Sequence, residues 1–153
     1  MIRPPKDYWA HTLFGDPRQR PKVEQPLRDL PPRASVRFRK VREGVRALKH
    51  VTEQVVFLGT TWKWVWMYEV GGRKLAYLHP MEKGLSGTYV LTEAEEAVLM
   101  QTNGFPGSVR DAVRTGVRAE GILWCWMDLP DGTTVKAFVD VVRLKHELLA
   151  RPE

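Results

Sequence analysis

Large aromatic residues recur with period two along residues 62–68, within an apolar run that extends to residue 70. Trp62, Trp64, Trp66 and Tyr68 fall on one side, and Lys63, Val65, Met67 and Glu69 on the other. Side chains two apart on a strand share a face, so the run predicts a β-strand. Gly71-Gly72 is a two-residue hairpin signal, and residues 73–79 read as the return strand. Met81-Glu82-Lys83-Gly84 offers a looser turn before a third strand over residues 85–91. Trp124 and Trp126 repeat the alternation in a fourth strand over residues 122–129.

Elsewhere the period is that of a helix. Ser35 can cap a helix of about four turns whose apolar stripe is Phe38, Val41, Val45 and Leu48. Thr92 and Glu95 form a capping box that opens a second helix, which Asn103-Gly104 ends. Residues 106–118 predict a third, with Val109, Ala112, Val113 and Val117 on one side. After Pro130-Asp131-Gly132, Thr133 or Thr134 caps a C-terminal helix marked by Val135, Phe138, Val142 and Leu149. The order is helix, three strands, two helices, strand, helix. It predicts an α+β fold: a mainly antiparallel sheet, a β-meander plus a fourth strand, with helices packed on one face.

Composition divides the chain. Its 153 residues suit one domain, expected over residues 34–153. Residues 1–33 hold seven of the 11 prolines, which bars a long helix or a central strand and predicts an extended arm. Trp9, Leu13 and Phe14 could pin that arm to the body. The net charge is +6, but residues 1–50 hold 13 Lys/Arg against 5 Asp/Glu and the remainder 11 against 13, so the excess belongs to the front third. The first predicted helix adds Arg37, Lys40, Arg42, Arg46 and Lys49 on its polar side, a pattern that solvation explains more simply than nucleic-acid contact.

Several classes are not expected. No run approaches the roughly 18 apolar residues of a membrane helix, and the front of the chain does not read as a secretion signal. Cys125 is alone, so no disulfide or thiolate metal cluster is expected, and the cytoplasm is the expected location. The histidines show no zinc spacing, and no glycine-rich loop precedes a helix. Neither a metal nor a cofactor is predicted.

The run Trp66-Met67-Tyr68-Glu69-Val70-Gly71-Gly72-Arg73-Lys74-Leu75-Ala76-Tyr77-Leu78-His79-Pro80, then a strand, a helix, Ile122-Leu123-Trp124 and a final helix with Leu144-Lys145-His146, resembles the bacterial domain-of-unknown-function family 3788. The resemblance covers about residues 35–150 and leaves out the basic front. It implies a small cytoplasmic α+β protein and no established activity.

Both sides of the first strand are apolar, so function turns on which side the helices cover. Val65 and Met67 could face them, leaving the tryptophan side for a pocket, a homodimer interface or the arm. Alternatively the tryptophans are themselves the core. If that side is open, Trp62, Trp64, Trp66 and Tyr68, joined by Tyr77, Trp124 and Trp126, would bind a small aromatic or cationic molecule by stacking and cation–π attraction. Glu69 and Asp128 would border it, as counter-ions or, in a hydrolase-like reading, as a general acid. A nucleic-acid-binding role for the basic arm and first helix is the other alternative, with stacking of single-stranded bases. No pair of acids and bases has a spacing that catalysis demands, so no catalytic residue is assigned. Cys125, on the opposite strand face from Trp124 and Trp126, reads as a buried small hydrophobe.

Overall fold

A computed structural model describes residues 11–150. Along the chain come α1 (Gln25–Asp29), α2 (Pro32–Arg46), β1 (Thr52–Phe57), α3 (Gly59–Trp62), β2 (Trp64–Val70) and β3 (Arg73–Met81). These are followed by β4 (Gly84–Leu91), α4 (Glu93–Gln101), α5 (Gly107–Arg114), β5 (Val117–Ala119), β6 (Ile122–Asp128) and α6 (Gly132–Ala150). The six strands form one antiparallel sheet in the order β1-β2-β3-β4-β6-β5. The fold is α+β, as the alternation and the helical stripes predict.

Local chemistry explains the main joints. Gly71 and Gly72 both have positive φ, which the tight β2–β3 hairpin requires. Thr92 and Glu95 close their capping box at both hydrogen bonds, 2.9 and 3.1 Å. At α6 the cap differs from expectation. The Asp131 carboxylate accepts from the Thr134 amide at 2.9 Å, a reach that suits a short acidic side chain one residue before the helix. Ser35 does not cap α2 either; the helix starts at Pro32, and the Ser35 hydroxyl donates to the Leu27 carbonyl.

The face covered by helices is the one that carries Trp64, Trp66 and Tyr68. These three, with Tyr89, Leu91 and Cys125 from β4 and β6, share one core with Phe38, Val41 and Val45 of α2 and Phe138 and Val142 of α6. Gly87 makes this contact possible: a Cβ there would lie 2.4 Å from the Phe138 ring. Gly44 does the same between the two helices, where a Cβ would lie 2.7 Å from Val139.

Three parts of the chain depart from the sequence expectation. Residues 52–57 form the edge strand β1, which has too few apolar positions to stand out. Residues 117–119 leave the expected helix and pair with β6 as β5. Gly116 permits that approach, because a Cβ there would sit 2.7 Å from the Trp124 carbonyl. Trp62 does not belong to β2 at all. It ends α3, and Lys63, at φ 56°, turns the backbone through the left-handed region before the strand starts. Strand alternation fails there, and Trp62 lands on the opposite face from Trp64.

From His11 onward the expected arm is docked on the body. α1 packs beside α2, and Thr12 bridges to Met81, flanked by hydrogen bonds from Leu13 to Pro80 and from Glu82 to His11. Trp9 lies outside the described residues. One buried ion pair ties β1 to α2: the Arg42 guanidinium grips both Glu53 oxygens at 2.8 Å, with the two side chains only 7% and 8% exposed. Tyr68 donates to the same carboxylate at 2.7 Å. Burial opposes the Glu53 charge, yet these donors outweigh it and hold its pKa below the usual carboxylate range.

Gly87→Ala should cost about 1–3 kcal/mol in urea unfolding, because Phe138 has no free space in which to retreat. Glu53→Ala should cost about 3–5 kcal/mol by leaving Arg42 buried without its partner. Unchanged midpoints in either variant would contradict the packing described.

Candidate functional site

The helix-covered tryptophans are closed to ligands. The arm supplies acceptors for their indole N–H groups: Trp64 donates to the Asp16 carbonyl at 2.7 Å and Trp66 to that of Val23 at 2.9 Å. Phe14 packs on the Trp66 ring with centroids 5.7 Å apart. Trp64, Trp66 and Tyr68 are therefore core, and the arm helps to seal them.

The outer face holds a second aromatic cluster, of Trp62, Val65, Met67, Tyr77 and Trp126 with Trp124 against it. Trp62 stands edge-on to Tyr77 at 5.4 Å and to Trp124 and His79 at 5.5 Å. Tyr77 and Trp124 are nearly parallel, 20° apart in plane, at 6.1 Å. Trp124 alone of these large rings is only half-buried. A bulge positions the polar rim beside them. Tyr68 pairs with Ala76 but Glu69 pairs with Lys74, so the extra residue Leu75 brings Lys74 and Tyr77 onto one face although they are three apart.

Tyr77 and Trp124 line a cavity of about 320 Å³ at the end of the sheet where β3 starts and β4 finishes. Val90, Ile122 and Leu149 complete its apolar wall, and Lys145 and Glu95 bring charge into it. Lys145 is 3% exposed; its ammonium donates to the Val90 carbonyl and stands 3.4 Å from the Glu95 carboxylate. Burial lowers the Lys145 pKa, Glu95 pulls it back up, and Arg73 on the rim pushes it down again. Burial also raises the Tyr77 hydroxyl to about 12, with help from the Glu69 charge.

Lys145 and Glu95 were not singled out from the sequence as site residues. A signal existed for the lysine: Phe138, Val142, Lys145 and Leu149 follow one another at helical spacing, so Lys145 interrupts the apolar stripe of α6. Glu95 was hidden by its capping role, which uses the same carboxylate oxygen, Oε1, that faces Lys145.

The predicted carboxylates sit elsewhere. Glu69 pairs with Lys74 at 2.6 Å, and neither it nor Asp128 is among the described residues lining the aromatic cavity. Asp128 accepts from the Ser86 hydroxyl at 2.8 Å and borders a separate hollow with Arg37 and Lys83, which has no aromatic ring among its described lining. The idea of one aromatic face bearing both acids is thus corrected on geometry: the tryptophans divide between two faces, and the acids lie at opposite ends of the strands. Cys125 is buried in the core, and burial raises its thiol to about 12, which suppresses thiolate chemistry. On α2, Arg42 turns inward to Glu53 and Arg46 lies 3.9 Å from the same carboxylate, so two charges of the expected basic surface face an acid.

A second cavity, of about 410 Å³, adjoins the first and shares Arg73 and Leu149 with it. Lys49, His50 and His146 line its far side. Among the described residues no group of three His, Cys, Asp or Glu could hold a metal ion, and no helix is long and apolar enough to cross a membrane. No family model, curated protein or solved structure matches the chain.

His79 is fully buried on the outer face, with Nε2 2.7 Å from the Thr88 hydroxyl, and burial pushes its pKa down to about 3. The unfolded chain then takes up a proton near pH 6.5 while the folded chain does not, so stability falls as pH drops through the window from 6.5 towards 3. Between pH 7 and pH 5, above the carboxylate range, urea unfolding should lose about 2 kcal/mol. His79→Gln should flatten that slope. An equally steep loss in the variant would refute the assignment.

Proposed function

We propose that the protein binds a small planar molecule in the cavity beside Tyr77 and Trp124. The observation that carries this reading is a half-open space of about 320 Å³ walled by two nearly parallel rings, with a buried lysine–glutamate pair at its side. Small-ligand sites have this composition: an apolar, aromatic lining and a few polar groups that fix orientation. The rings supply stacking area. Lys145 supplies a donor and Glu95 an acceptor, each already desolvated by the fold. A ligand whose polar edge replaces their mutual contact meets groups that have no water to surrender.

The charge of the lining selects among planar molecules. Arg73, Lys74 and Lys145 oppose Glu95 alone, and Lys74 is already engaged by Glu69. An aromatic ligand with a hydrogen-bonding edge, neutral or anionic, fits better than a cation. Trp62 and Trp126 act behind the rings, as the packing that holds Tyr77 and Trp124 in place.

Calorimetric titration with adenosine, indole and nicotinamide as probes tests the reading. Saturable binding of at least one is expected. Trp124→Ala should weaken it about tenfold, the scale of one lost stacking contact, while the circular dichroism spectrum is retained. Lys145→Met, which keeps the apolar stripe of α6 filled, should weaken binding of the probe with the most polar edge. No binding by any of the three, or binding indifferent to Trp124→Ala, would sink the proposal.

A further inference from the structure

The cavity beside Tyr77 and Trp124 is one half of a longer depression. Its neighbour, of about 410 Å³, meets it at Arg73 and Leu149, and the two differ in chemistry. The first is ring-walled. The second is lined by Lys49, His50, Arg73 and His146 with no carboxylate among its described lining residues. Lys49 and Arg73, gathered in a hollow with no acid among its described lining, create a local positive potential that recruits an anion. Leu149 lines both halves, so a ligand that fills them crosses its side chain, and an uncharged spacer suits the apolar stretch that Leu149 and Val70 provide.

The fold brings these basic and imidazole side chains together from distant parts of the chain. Lys49 and His50 occupy the turn between α2 and β1, Arg73 opens β3, and His146 comes from the last turns of α6. His50 is one of the few non-glycine residues with positive φ, at 64°. The His146 ring lies 2.8 Å from the Lys49 carbonyl, so the α6 end and the turn that carries Lys49 are tied to each other. Arg73 belongs to both halves, and its charge is felt by Lys145 in the first.

We infer that the joined cavities form a site for a nucleoside monophosphate, with the base on Tyr77 and Trp124, the sugar across Leu149, and the phosphate among Lys49, Arg73 and the two histidines. The inference rests on the planar-ligand reading above and adds to it the phosphate and the spacer. Glu95 and Lys145 offer an acceptor and a donor to the edge of the base. Lys49 and Arg73 answer the phosphate with firm positive charge, and Arg73 adds the forked geometry suited to phosphate oxygens.

Comparing AMP with adenosine by calorimetry separates this inference from the reading beneath it. At low salt AMP should bind at least tenfold more tightly than adenosine, and the preference should shrink as salt screens the exposed cations. Inorganic phosphate should compete with AMP and leave adenosine binding untouched. Lys49→Ala and Arg73→Ala, both at exposed positions, should each cut the ratio of AMP to adenosine affinity severalfold, and the double variant should bring it close to one. If adenosine binds and AMP binds no better, or the ratio survives both substitutions, the phosphate assignment is overturned while the ring site stands. If neither binds, the nucleotide assignment is overturned, and the ring site is decided by indole and nicotinamide.

Discussion

A sheet that is apolar on both faces must be covered twice, and the described residues supply long helices for one face only. α2 and α6 take the side of Trp64, Trp66 and Tyr68, where Gly87 and Gly44 let Phe138 and Val139 approach at van der Waals distance. The other side has to be closed with what remains. Trp62 does much of this, folded back by a left-handed Lys63 so that it stands against Tyr77, His79 and Trp124. Closure by side chains in place of a helix leaves the periphery incomplete. The aromatic cavity lies at that edge, where Trp124 stays half-buried.

Buried polar groups set the remaining constraints. Indole N–H groups in a core need acceptors, and the arm's backbone carbonyls provide them for Trp64 and Trp66. Glu53 is buried because Arg42 and Tyr68 both point at it. Lys145 is buried because the Val90 carbonyl and Glu95 receive it. Arg42–Glu53 joins α2 to β1, and Lys145–Glu95 joins α6 to α4, so each pair fixes a helix at a chosen position as well as cancelling charge. The second lines a cavity, so a device that is structural at Glu53 is a candidate for recognition at Lys145.

Much of the fold was legible because period and turn chemistry agree locally. The Gly71-Gly72 hairpin, the Thr92–Glu95 capping box and the stripes of α2 and α6 each depend on residues within a few positions of one another. What was not legible depends on distant partners. β1 earns its place by pairing with β2, and β5 by Gly116 lying against Trp124. Trp62 continues the alternation in the sequence and breaks it in space, since a single left-handed residue reverses the face and lysine is not a residue that advertises one. The site suffered from the same blindness. Tyr77 and Trp124 were nominated, but their cavity mates Lys145 and Glu95 come from the core side of the sheet, and Glu95 already had a sufficient local explanation.

The carbonyls that satisfy Trp64 and Trp66 come from residues 48 and 43 positions earlier in the chain. The arm's contribution is therefore long-range, and its loop-closure entropy is offset only by contacts with the tryptophans that β2 presents beneath α2. The contact is cheap to reopen, since lifting residues 12–24 breaks, among the described residues, no strand pairing beyond the Thr12–Met81 bridge. The arm is thus a latch on a finished core. Opening it would expose the edge of the tryptophan layer to water, protease and hydrogen exchange before any helix or any of the six strands has to move.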